Sequence, residues 1–149
     1  MNSLHAEVDA RQSAIEFHSL TERVEKAVAD VWNAKVTVHA DPVDHGHALY
    51  SAATTTLVDW IEKHPEMVAF HDLRLGGEAE SLECSVDLVV RQERLFADYN
   101  GLLSEAAREM GRRLPQVRRF DLGIEPEFAS DREYRRIFHR KGDEVVSLS

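Results

Sequence analysis

A chain of 149 residues that is 43% apolar and 30% charged can bury a core as one domain or as two small packed modules. Its formal net charge of -9 and sequence pI near 5.3 argue against nucleic acid as a partner, which needs clustered Lys and Arg to neutralise phosphates, and suit cations instead. A single cysteine, Cys84, excludes an internal disulfide framework, and the longest uncharged run, residues 46–58, is too short and too rich in Ser and Thr to span a bilayer.

Leu4 to Val8 alternates like a short strand. Ser13-Ala14-Ile15-Glu16 and Ser19-Leu20-Thr21-Glu22 both have the form of a capping box, and they precede an apolar stripe of Leu20, Val24, Ala27, Val28 and Val31 at helical spacing. Lys35 to His39 alternates again, with Val36 and Val38 on one face, Thr37 and His39 on the other, and Pro42 closing the strand. A polar turn comes next, and Leu49, Ala53, Leu57, Trp60 and Ile61 mark a second helix that Pro65 stops.

Met67 to Leu75 and Leu82 to Val90 are expected to form a hairpin turning at Gly76-Gly77. A third helix is predicted from about Ala97 to Arg113, with Leu102, Leu103, Ala106 and Met110 on its apolar face, and a last strand from Arg118 to Glu125. Cys84 alternates with Leu82, Val86 and Leu88 and is expected to pack rather than ligate. Trp32, Trp60, Phe70 and Phe120 fall on apolar stripes and are expected in the core or at a dimer interface. Beyond Phe128 the sequence turns polar, so the tail is expected to be a helix at most, frayed at its end, and Arg132 to Lys141 is expected to form a solvated face.

His5, His18, His39 and Asp41 fall in the order strand, helix, strand, and three imidazoles with a carboxylate are a common ligand set for a divalent transition metal. His39 and Asp41, two apart on one strand, share a face, and a βαβ return brings the strand carrying His5 beside it. The pattern recurs without its histidines: Val8, Ser13, Val24, Val36 and Asp41-Pro42 are echoed by Val86, Leu102, Ala106, Leu122 and Glu125-Pro126, with Asp87, Asn100 and Gly123 in place of His5, His18 and His39. Asp44-His45-Gly46-His47 offers two further imidazoles in a turn next to this set.

The segments His5-Ala6-Glu7-Val8-Asp9, Phe17-His18-Ser19-Leu20, Arg23-Val24-Glu25, Val38-His39-Ala40-Asp41-Pro42 and Val68-Ala69-Phe70-His71-Asp72-Leu73-Arg74 resemble the C-terminal cytoplasmic domain of cation diffusion facilitator transporters. The resemblance spans about residues 4 to 127 and implies an α+β fold of tandem metallochaperone-like (ferredoxin-like) modules with small mixed sheets. Residues 1–43 would be a first module truncated at its N-terminus, 44–127 a complete second module, and 128–149 a polar tail. The open sheet edge of the truncated module is expected to be covered by the second module, a second copy of the chain, or residues of a longer parent.

The resemblance further implies a metal-sensing, dimerising regulatory domain of a zinc-type efflux transporter, lying on the cytoplasmic side as a homodimer below a transmembrane domain that this chain lacks. His5, His18, His39 and Asp41 match the family's regulatory ligands for zinc or a related divalent ion, and His71 matches the histidine preceding Asp-Leu-Arg. The first module has no His-Asp-Leu-Arg of its own, and the second keeps only His71, Asp87 and Glu125 at ligand-like positions. A purely structural dimerisation module is the alternative. No His-Glu-x-x-His, phosphate loop or Gly-x-Ser-x-Gly supports an enzyme, which sets a zinc-dependent hydrolase further back.

Overall fold

The computed structural model describes residues 2–91, 98–127 and 134–148. The chain is an α+β protein that divides into two compact units, residues 1–45 and 46–149.

In the first unit, β1 (Asn2–Asp9) and β2 (Val36–Val43) form a parallel pair joined through α1 (Ala14–Trp32). Ser13 opens α1 with a complete capping box: its backbone N–H donates to Glu16 Oε2 at 2.7 Å, and Glu16 N–H donates to Ser13 Oγ at 3.3 Å. The second capping pattern, at Ser19, falls inside this helix and starts nothing. Asn33 ends α1 in the left-handed region at φ 48°, where asparagine is tolerated. Pro42 does not close β2, which runs on to Val43; an edge strand accepts a residue without an N–H. α1 packs on β2, whose Val36 and Val38 are buried, yet no residue of α1 is fully buried and Trp32 is 69% exposed.

In the second unit, α2 (Tyr50–Glu62) and α3 (Tyr99–Arg113) accompany a five-stranded mixed sheet. Its strands are β3 (Met67–Gly76), β4 (Glu83–Val90), β5 (Arg119–Pro126), β6 (Tyr134–Lys141) and β7 (Glu144–Ser147), neighbours in that order. β4 and β5 are parallel and connected by α3; the other pairs are antiparallel. Strict alternation buries Cys84, Val86, Leu88 and Val90 on β4 and Phe120, Leu122 and Ile124 on β5. Leu57, Trp60, Leu103 and Met110 from the helices complete this core. Burial pushes the Cys84 thiol up to about 12, and the side chain packs as a small apolar group in this core.

The expected start of the third helix at Ala97 and the first tail residues, 128–133, lie outside the described residues. From Tyr134 onward the chain corrects the expectation of a frayed helical tail: β6 and β7 extend the sheet, and Phe138 is 1% exposed within the core. The tail reads as polar because Phe138 is flanked by Arg136 and Arg140 on the same strand face. Neither is simply solvated, since Arg140 donates to the carbonyls of Gly111 at 2.7 Å and Leu114 at 3.1 Å, closing the C-terminus of α3. Among the described residues no helix is long and apolar enough to cross a membrane.

His64 closes α2 in a similar way. Its Nδ1 lies 2.6 Å from the Trp60 carbonyl oxygen, its Nε2 2.9 Å from Glu105 Oε1, and its ring stacks on Trp60 at 4.1 Å. Burial alone would lower its pKa, but two acceptors facing two ring nitrogens favour the imidazolium, and the net shift is upward. Stability from a raised folded-state pKa is fully present below the ordinary value of about 6.5 and is lost as pH rises through the folded value. His64→Gln is therefore expected to cost more stability at pH 5.5 than at pH 8.5, read by urea unfolding at both; an equal cost would contradict the double acceptor arrangement.

Candidate metal centre

The register of the second sheet assembles one row across four strands: His71 opposes Asp87, Asp87 opposes Gly123, and Gly123 opposes Arg135. Because Val86, Leu88 and Leu122 point into the core, alternation turns Asp87, Asp121 and Glu125 to the other face. On β3 the register shifts between His71 and Arg74, where Asp72 adopts φ 53°. Such a bulge re-aims neighbouring side chains that regular pleating would send to opposite faces. His71 Nδ1 thereby sits 3.0 Å from Asp72 Oδ2 while its Nε2 sits 2.6 Å from Glu125 Oε1.

His71, Asp72 and Asp87 each place one ligand atom within 4.8 Å of the others, the sole such trio among the described residues. A zinc shell at about 2.0–2.2 Å from nitrogen and oxygen spaces its donors about 3.3 Å apart, so modest side-chain rotation would close this set. One imidazole with carboxylates suits divalent first-row ions. Burial pulls the His71 pKa down, but its bonds to Glu125 and Asp72 and their charges outweigh that, and the net shift is upward. The acidic face has its own counter-charges: Arg135 Nη1 donates to Asp121 Oδ1 at 2.7 Å, its Nη2 donates to Asp87 Oδ1, and Arg74 Nη2 lies 3.8 Å from Asp72 Oδ1.

The N-terminal ligand set is placed differently. His5 and His39 face each other in register, with rings stacked at 5.2 Å, and His5 Nδ1 lies 2.9 Å from Asp41 Oδ2. Val36 and Val38 are buried on β2, and alternation sets His39 and Asp41 on the opposite face, although Val43 at the strand's end is buried too. His18 is not brought to them as a partner in any ion pair or ring contact described; its Nε2 lies 3.2 Å from Glu22 Oε1, one turn along α1. His45 lies in the turn after β2, and His47 Nδ1 accepts from the Leu49 N–H at 3.1 Å. The loop between them is where the two units meet in sequence.

Sequence reasoning identified His71, Asp87 and Glu125 as ligand-like but gave Asp72, Asp121 and Arg135 no role. The signal for Asp72 was present in its place beside His71; a bulge is what makes two successive residues face one way. Arg135 gave no signal, since its row position depends on a strand the composition did not suggest.

Asp72→Ala and Asp72→Gly both remove the carboxylate bonded to His71, but only alanine keeps a Cβ at φ 53°. The alanine variant is expected to be about 1 kcal/mol less stable than the glycine variant, measured by thermal unfolding; equal midpoints would show the bulge carries no such constraint. No family model matches this chain, and neither a curated protein nor a solved structure matches it.

Proposed function

We propose that this chain is a divalent-cation-binding regulatory module whose principal centre is the His71, Asp72 and Asp87 set with Glu125 beside it. The observation that carries the proposal is the convergence of one imidazole and two carboxylates within 4.8 Å on one sheet face. The His5, His39 and Asp41 face forms a second, less assembled centre, which His18 joins once released from Glu22. Zinc, or a related first-row divalent ion, is the expected occupant, since its ligands here are nitrogen and oxygen.

The finer role is that of a cytoplasmic metal-sensing and dimerising domain of a cation efflux transporter, in tandem ferredoxin-like modules. Support for it is the resemblance of His39-Ala40-Asp41-Pro42 and His71-Asp72-Leu73-Arg74 to that family's motifs. Support for a homodimer is α1, whose Ile15 and Val31 are 81% and 76% exposed. Metal would act by favouring one arrangement of the dimer, and so of the attached transport domain. The role is binding, not turnover.

Metal-stripped chain titrated with zinc in a calorimeter should show saturable binding that His71→Ala weakens at least tenfold, with a smaller loss in the His39→Ala, Asp41→Ala double variant. Wild-type affinity in both variants would overturn the metal reading. Sedimentation should find a dimer that Val31→Asp converts to monomer; a monomeric wild-type chain would remove the dimerising role.

A further inference from the structure

The row His71, Asp87, Gly123, Arg135 places a fixed cation opposite the proposed metal ligands. β6 and β4 are two strand spacings apart, about 9.6 Å, with β5 between them. At the intervening position β5 carries Gly123, which has no side chain to stand between the guanidinium and β4. Arg135 crosses this gap, one nitrogen donating to Asp87 and the other to Asp121 at 2.7 Å. Together with Asp72, Arg74 and Ser85 they line a depression of about 190 Å³. The side chain of Asp87 is 15% exposed and that of Arg135 36%, so the carboxylate end of this pair is the more sheltered one.

Resting on the metal reading above, we propose that Arg135 is an intramolecular competitor for that metal: its guanidinium occupies Asp87, and a divalent ion binds by displacing it. Asp87 is the one member of the trio supplied by β4, and a carboxylate bonded to a guanidinium is committed to a cation already. A cation that completes its shell with Asp87 must break or share that pairing, and two like charges meeting at one carboxylate repel. The chain therefore carries its own threshold: the site loads only when metal outcompetes a tethered charge whose local concentration never falls. Gly123 is part of the same device, because its missing side chain opens the route from β6 to β4. Arg136, the next residue, is no part of it; its guanidinium donates to Asn100 at 2.7 Å and Ser147 at 2.6 Å.

The test is zinc calorimetry on the full chain in wild type, Arg135→Gln, Arg135→Lys and Arg136→Gln, each also with His71→Ala. Arg135→Gln should tighten zinc binding about tenfold, the scale expected for removing one charge from a divalent site a few ångströms away. Arg135→Lys, which keeps the charge but loses the fork that spans Asp87 and Asp121, should fall between, and it carries the comparison if the Gln variant does not fold. Arg136→Gln removes the same net charge elsewhere and should leave affinity within twofold. Unchanged or weakened binding in Arg135→Gln, with His71→Ala still losing zinc, would overturn the competitor while leaving the metal site standing. Zinc binding indifferent to His71→Ala in every background would overturn the metal site and the competitor with it.

Discussion

The parallel register of β4 against β5, with Asp87 opposite Gly123 and Val89 opposite Glu125, decides which side chains share the functional face of the second unit. α3 imposes it: the crossover buries Leu103, Ala107 and Met110 against Leu122 and Ile124, and a slip of one residue would turn those apolar side chains outward and the carboxylates inward. That penalty, several large side chains exposed and several charges buried, is far larger than any single contact on the acidic face. The core thus holds the acidic face in place. The bulge at Asp72 and the reach of Arg135 both presuppose this register.

Much of this was legible in the sequence. Helical spacing in Leu102, Leu103, Ala106 and Met110, and alternation in Leu82 to Val90, depend on periodicity alone, and the Ser13 capping box is a local hydrogen-bond pattern. Each lies where the sequence placed it. The β6–β7 hairpin was not legible, because Arg136 and Arg140 look like surface charges until their acceptors are known: Asn100 for one, the last carbonyls of α3 for the other. Pro42 misled for a different reason, since whether a proline ends a strand depends on whether that strand is an edge.

The candidate site divides along the same line. His5, His39 and Asp41 were readable as companions because strand alternation and parallel return are sufficient to put them on one face. His18 was grouped with them by its place in the strand, helix, strand order, but a helix residue with a carboxylate four positions on has a local partner available, and Glu22 takes that place. His71 and Asp72 could be read as adjacent but not as convergent, since convergence needs the positive φ at Asp72. In the second unit one imidazole and two carboxylates lie within 4.8 Å of one another, while in the first a histidine and a carboxylate approach to 2.9 Å with a second imidazole stacked beside them.

Which imidazole takes the metal is the most direct question, and nitrogen-15 spectra of the histidine side chains, recorded as zinc is added to the metal-stripped chain, answer it for all eight at once. The account predicts that the His71 ring nitrogens move first and saturate, with His5 and His39 shifting only at higher zinc. A His71 ring unchanged at saturating zinc, whatever the others do, would contradict it.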